Sequence, residues 1–267
     1  MGEKCCEDIV CEGCWTLLWL DPRRKYLFKV RRGFIQGSDK GVLRHDDIIG
    51  LRYGSVVELS SGYKAFILKP LLIDFLERGL TRKSQVIYPK DQGLMTILLG
   101  LAPGARVVEI GVGSAFTTIV LANIIGSEGK VYAYEVRSDM LEVARRNLES
   151  MGLLDRVVLH NKDAREGIEE EGVDAIVVDI PDPWSIINHA CATLKPGRPI
   201  VFFVPSINQV ERLLKALETS CLIDVRVYEV LLREYTTEPD SLRPLTRMIG
   251  HTGYIVFARS IGFPKPS

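Results

Sequence analysis

Three carboxylates and a pair of glycines, each standing just after a short apolar run, are the residues of this chain whose types and spacing could do chemistry. Gly111 and Gly113 follow the run Arg106 to Ile110, and glycines there let a backbone turn tightly against a ligand that a Cβ would exclude. A dinucleotide fingerprint needs a third glycine at position 116, where this chain has Phe116, so a bound pyrophosphate is disfavoured and a purely structural turn is the competing reading. Glu135 closes the run Lys130 to Tyr134, the place from which an acid accepts both hydroxyls of a ribose. Asp163, in Lys162-Asp163-Ala164 after Arg156 to His160, lies beside an adenine-sized gap at the next strand end. Asp179 opens Asp179-Ile180-Pro181-Asp182-Pro183-Trp184, a loop stiffened by two prolines. An acid at such a strand tip either faces the crevice of an open sheet or caps the helix that follows.

The elements that must hold these residues follow from the rhythm of the sequence. From about residue 93, apolar runs alternate with helical stretches, which indicates βαβ units around a parallel sheet. Seven strands are expected: the three named above, Asp174 to Val178 as the fourth, then Ile200 to Val204, Val225 to Leu231 and Gly253 to Ala258. Helices fit Phe116 to Ile125, Ser138 to Met151, Trp184 to Leu194 and Ile207 to Ser220. Residues 1–62 instead show short β runs (Trp15 to Leu20, Lys25 to Val30, Ser55 to Leu59) punctuated by glycines, a small β-rich module behind a cysteine-rich leader. Residues 63–92 read as a connecting segment and 93–267 as the larger domain.

With 46% hydrophobic and 25% charged residues among 267, the composition excludes disorder and collagen-like repeats. No apolar run approaches the roughly 20 residues that span a bilayer, and acidic residues at the start argue against a secretory signal, so no membrane association and a cytoplasmic location are expected. Basic and acidic residues balance at 34 each, but residues 22–90 carry 15 basic against 6 acidic. That +9 block, headed by Arg23, Arg24 and Lys25, is either a phosphate-binding surface or a solvated basic face. Cys11-Glu12-Gly13-Cys14 has the spacing of half a zinc site, without a second spaced pair or nearby histidine, and no metal is expected. Cys5, Cys6, Cys191 and Cys221 complete the thiols, with reduced packing or disulfides both open.

A glycine turn without the third glycine, an acid on the second strand and an acid after the third is the arrangement of class I S-adenosylmethionine-dependent methyltransferases, whose Rossmann-like seven-stranded α/β sheet the chain resembles. With Gly41-Val42-Leu43-Arg44-His45, Tyr88-Pro89-Lys90-Asp91, the Asp179 to Trp184 loop and Gly250-His251-Thr252-Gly253-Tyr254 in that order, it resembles the TrmI family of tRNA (adenine-N1)-methyltransferases, archaeal type, from about residue 12 to 259. The resemblance implies methylation of adenosine 58 in the tRNA T-loop, and in archaeal members of adenosine 57, by a homotetramer. Cofactor contacts would fall on Ile87, Ser114, Ala115, Phe116, Thr117, Glu135, Asp163, Ala164 and Asp179 beside the two glycines, with Asp179 catalytic. Tyr88, Tyr235, Arg247 and His251 would line the substrate crevice; Tyr88 also reads as a strand-end aromatic and His251 as the holder of the turn before the last strand. Rival readings are a class I methyltransferase with another substrate, a non-catalytic tRNA-binding subunit, and a nicotinamide-dependent dehydrogenase, the last opposed by Phe116.

Overall fold

The computed structural model describes residues 7–263, which divide into two compact units, one ending at Leu80 and the other beginning at Thr81. Residues 63–92, expected as a connection, are split by that division: 64–68 form a strand of the first unit and Pro89 opens a helix of the second.

In the first unit β1 (Trp15–Asp21), β2 (Arg24–Lys29), β5 (Val56–Glu58) and β6 (Lys64–Leu68) form an antiparallel sheet in the order β2-β1-β6-β5, with β3 (Ile35–Ser38) and β4 (Gly41–Arg44) as a separate hairpin. Leu18, Leu20, Phe28, Val30, Ile48 and Ile67 are its buried centre. The Asp21-Pro22 turn between β1 and β2 is made by the aspartate itself, whose Oδ1 accepts the N–H groups of Arg23 and Arg24 at 2.8 and 3.0 Å. Arg24 then pairs with Asp21 at 2.7 Å and Asp39 at 2.8 Å, so one of the three basic residues at this turn is already neutralised within the unit. A short turn, α1 (Leu72–Asp74), follows.

The second unit is a seven-stranded sheet in the order β12-β13-β11-β10-β7-β8-β9, formed by β7 (Arg106–Ile110), β8 (Lys130–Tyr134), β9 (Val157–His160), β10 (Ala175–Val178), β11 (Pro199–Val204), β12 (Leu222–Tyr228) and β13 (Tyr254–Ser260). β7 to β11 run parallel, and β13 is antiparallel to both its neighbours. The central strands are apolar throughout because both faces are covered, as in β10 and β11, where every residue is buried. From β7 the chain proceeds outward to β8 and β9, then returns to place β10 on the other side of β7. The order therefore reverses between β7 and β10, where open α/β sheets bind ligands.

The helices are α2 (Pro89–Leu99), α3 (Phe116–Ile125), α4 (Ser138–Ser150), α5 (Ile187–Thr193) and α6 (Ile207–Leu217). α2 falls outside the expected helices, although proline at its first position, Asp91 in its first turn and a left-handed Gly100 at its end are ordinary start and stop signals. The helix expected over Trp184 to Leu194 begins instead as a 3₁₀ turn, Pro183–Ile186, because Pro181 and Pro183 constrain the entry. The strand expected over Val225 to Leu231 starts earlier, at Leu222, and is bulged between Ile223 and Arg226, with Asp224 at φ 52°. Cys191 on α5 and Cys221 just before β12 form a disulfide, with Cα atoms 5.9 Å apart. Cys11 and Cys14 are likewise in disulfides, so their sulfurs are not thiolate ligands and the half-zinc-site reading of that pair is set aside; Cys5 and Cys6 lie outside the described residues. No described helix is long and apolar enough to cross a membrane.

Candidate active site

Parallel pairing of Ile110 with Val178 brings the ends of β7 and β10 side by side, and Asp179 N–H extends the ladder to the Ile110 carbonyl at 2.8 Å. Gly111 follows at φ +91°, and a Cβ there would collide with the Asp179 carbonyl oxygen, so the first glycine serves a close approach between two strand tips. Gly113, at φ +53°, leaves room for the Ser84 hydroxyl. Ala115 takes the left-handed conformation at φ 63° to start α3, and Phe116, buried where the third glycine would stand, fills the start of that helix.

Around this turn lies a cavity of about 530 Å³ lined by Ile87, Gly111, Gly113, Ser114, Phe116, Thr117, Glu135 and Asp179. A second cavity of about 440 Å³, lined by Asp163, Ala164, Arg165 and Asp182, shares Gly111, Glu135 and Ile180 with it. All the expected cofactor residues except Ala115 thus line one continuous region, while Ala115 lies buried beneath it as the helix cap.

The charge of the region differs along its length. Glu135 accepts the Gly113 N–H at 2.9 Å and the Arg137 N–H at 3.0 Å, which fixes its carboxylate between the glycine turn and the end of β8. Asp179 opens onto the cavity but is otherwise enclosed by protein, and this burial, reinforced by the Glu135 charge, pushes its carboxyl up to about 7. Behind it Glu109 is wholly buried and has one oxygen without a partner; burial, with Asp179 and Glu135 adding to it, raises that carboxyl to about 8. At the far end Asp163 accepts from the Arg165 backbone at 2.9 Å and from its guanidinium at 2.6 Å, and the arginine holds it below the usual carboxylate range. Arg165 also reaches Asp182 at 3.1 Å. Along this region Glu135, Asp163, Asp179 and Asp182 stand beside Arg137, Lys162 and Arg165, and the acceptors at Glu135 and Asp163 suit the hydroxyls and amine of a nucleoside.

The loop after Asp179 is held from α6, where Gln209 donates to the Pro181 carbonyl at 2.9 Å and Arg212 lies 3.9 Å over the Trp184 ring. No local pattern signals this wall, nor Ser84, Gln85 and Val86, which close the cavity's other side. Ser84 and Lys83 N–H meet the Ser114 hydroxyl at 3.1 and 3.0 Å, a pairing across about thirty residues without a local signature. Glu109 is within reach of sequence reasoning, since a charged residue in an otherwise apolar strand is a buried polar group in need of a reason.

The expected substrate residues do not line the cavity. Tyr88 caps α2, with the Arg82 guanidinium 5.9 Å over its ring. Tyr235 and Arg247 are exposed on the segment between β12 and β13, where Tyr235 bridges to Pro244. His251 does hold the turn before the last strand: Nδ1 contacts Glu229 at 2.6 Å and Nε2 the Pro205 carbonyl at 2.8 Å. With an acceptor on each nitrogen, first the carbonyl and then the carboxylate, the ring titrates above its ordinary value. Arg23, Arg24 and Lys25 belong to the first unit.

The profile of a family described as "tRNA methyltransferase complex GCD14 subunit" matches residues 74–243. The tRNA (adenine(57)-N(1)/adenine(58)-N(1))-methyltransferase TrmI of Methanocaldococcus jannaschii is 34% identical over 84% of this chain and 87% of its own. Among solved structures, an S-adenosylmethionine-dependent O-methyltransferase from Thermotoga maritima superposes with a TM-score of 0.89 at 34% identity, covering 95% of each chain. The tRNA (m1A58) methyltransferase TrmI of Aquifex aeolicus gives 0.83 at 30% identity, over 95% of this chain and 99% of its own. With the family profile spanning more than half of its residues, the chain belongs to the GCD14 family of tRNA methyltransferases.

Proposed function

We propose that this protein transfers a methyl group from S-adenosylmethionine to N1 of adenosine 58 in the T-loop of tRNA, and of adenosine 57 as in the methanogen relative's name. The observation that carries the reading is Asp179, set at the reversal of strand order beside the glycine turn and facing the cavity with a carboxyl that a sulfonium cation would help to ionise. When bound, S-adenosylmethionine supplies an electrophilic methyl. Glu135 is suited to accept its ribose hydroxyls, Asp163 its adenine amine, and the backbone of residues 111–117 gives it room.

Adenine N1 carries an in-plane lone pair and no proton at neutral pH, so the protein's task is alignment more than deprotonation. As the ring gains a methyl it becomes cationic, and the charge spreads to the exocyclic amine. The Asp179 carboxylate accepts a hydrogen bond from that amine, orienting N1 and stabilising the charge in a water-poor pocket. Held near 7, this carboxyl is poised to ionise when a cation enters. In folded tRNA the adenine edge is paired and stacked, so the base must be exposed before transfer. Tyr88, Tyr235, Arg247 and His251 are the residues we assign to that step, with Arg23, Arg24 and Lys25 on phosphates.

The working form is proposed to be a cytoplasmic homotetramer; Ile97, Ile207, Ile223 and Val227, all exposed in the isolated chain, offer apolar surface for assembly. The Thermotoga structure, an O-methyltransferase, raises a different acceptor atom on the same sheet. One experiment separates the readings: unmodified tRNA and methyl-labelled S-adenosylmethionine are incubated with the protein, and the label is identified in nucleosides and placed in nuclease-cut oligonucleotides by mass spectrometry. Label in 1-methyladenosine at 58 or 57 supports the proposal, whereas 2′-O-methylated nucleoside or unlabelled tRNA overturns it.

A further inference from the structure

The two family-like motifs that the cofactor site leaves unused, Tyr88-Pro89-Lys90-Asp91 and Gly250-His251-Thr252-Gly253-Tyr254, meet in a buried polar cluster. Lys90 Nζ donates to Asp91 Oδ1 at 2.9 Å, to the Val230 carbonyl at 2.7 Å and to the Thr252 hydroxyl at 2.7 Å, which uses all three of its protons. The Thr252 hydroxyl in turn donates a hydrogen bond to Asp91 Oδ2 at 2.8 Å. The Asp91 side chain is wholly buried and that of Lys90 is 8% exposed, so neither charge has water as an alternative partner. Asp91 is further favoured by its place in the first turn of α2.

The location gives this cluster a purpose. The backbone ladder between β12 and β13 stops at the pair Tyr228 and Ile255. Just past that point side chains take over: His251 holds Glu229 and the Pro205 carbonyl, and Lys90 holds Val230 and Thr252. Residues 231–250 then run out as an arm whose two sides pair through Leu245 N–H to Glu234 O and Thr236 N–H to Arg243 O, both at 2.8 Å. The arm exposes Tyr235 and the arginines Arg233, Arg243 and Arg247, groups suited to an unstacked base and its phosphates, alongside the acids Glu234, Glu238 and Asp240. Because the arm is exposed along nearly its whole length, its direction is set at its stems.

We propose that Lys90 is a positioning residue for the nucleic-acid substrate, acting through Asp91, Thr252 and Val230 to fix the stems of the 231–250 arm. This rests on the tRNA reading above. It concerns the KM for tRNA, not the cofactor or the chemical step.

The test uses the full chain and three variants. Thr252→Val keeps the ion pair and removes one tie between the stems; Lys90→Met/Asp91→Leu removes both charges while keeping the volume; Lys90→Met alone strands Asp91 and serves only if it folds. The expected result is a tRNA KM raised about fivefold in Thr252→Val and about tenfold or more in the double variant, with the KM for S-adenosylmethionine and kcat at saturating tRNA changed by less than about twofold. An unchanged tRNA KM in folded variants, or tRNA and cofactor constants that worsen together, would overturn it. Hydrogen exchange separates this from failure of the tRNA reading, since it needs no substrate. Faster exchange confined to residues 231–250 of Thr252→Val supports the tie between the stems even if wild-type protein leaves tRNA unlabelled, and unchanged exchange sinks it.

Discussion

The two ends of the ligand region treat their carboxyls in opposite ways. Asp179 and Glu109 are held close to neutrality by burial and by neighbouring negative charge, whereas Asp163 is locked as a carboxylate by Arg165. The proposed reaction gives each end a different partner. At the nucleoside end that partner would be a neutral amine, for which a permanently ionised acceptor in fixed geometry is best. At the other end the charge would change during transfer, and a carboxyl whose ionisation responds to a cation would supply negative charge only when there is something positive to stabilise.

The sharpest way to break this contrast is Asp179→Asn, which keeps the shape and removes the responsive charge. Activity should fall about a hundredfold or more while cofactor binding largely survives; near wild-type turnover in a methyl-transfer assay would remove Asp179 from catalysis. At the fixed end, Asp163→Ala should raise the KM for S-adenosylmethionine by roughly tenfold with little effect on kcat. A large kcat loss in that variant would mean that the two ends are not separable.

The pH dependence gives a subtler probe. Unliganded native protein binds the Asp179 proton up to about pH 7, and a cation in the cavity favours its release, so cofactor affinity measured by calorimetry should rise from about pH 6 to about pH 8 and level off above. Asp163→Ala should keep that slope and Asp179→Asn should lose part of it. The same shift has a stability sign. The Asp179 carboxyl is protonated to a higher pH when folded than when unfolded, so this group's contribution to the stability of the unliganded protein falls as the pH rises from about 4 to about 7. Asp179→Asn should therefore melt higher than wild type at about pH 8, with the gap closing towards about pH 4; an advantage that persists at the acid end would point to packing instead. The smallest expected effect lies away from the cavity. Charge reversal of Arg23, Arg24 and Lys25 should lower the salt dependence of tRNA binding by about one unit of slope for each phosphate no longer neutralised, leaving cofactor affinity alone. Arg24 should contribute least, being already paired with Asp21 and Asp39.

The same division explains what the sequence could disclose. Gly111, Glu135, Asp163 and Asp179 each follow a strand that its own apolar pattern reveals, and a parallel sheet collects such strand ends on one edge. What escapes is what comes from elsewhere in the chain. Ser84 meets Ser114, and Gln209 meets Pro181, through contacts that no local periodicity encodes. α2 has its proline and its terminal glycine, yet Tyr88 to Asp91 reads more readily as a motif in a connection than as a helix start. The ion pair of Lys90 with Asp91 is adjacent in sequence, but its meaning appears only when Thr252 and Val230 arrive beside it.

The position of β13 between β11 and β12 bears on how the molecule is made. As synthesis proceeds from the amino end, β12 is complete before β13, its sheet neighbour among the described residues, exists. Until Tyr254–Ser260 emerges, the growing chain carries an orphan strand and an uncovered edge on β11, the kind of surface that invites pairing with a neighbouring nascent chain. Pairing of β11 and β12 across β13 is thus among the last steps by which the larger unit can complete its sheet.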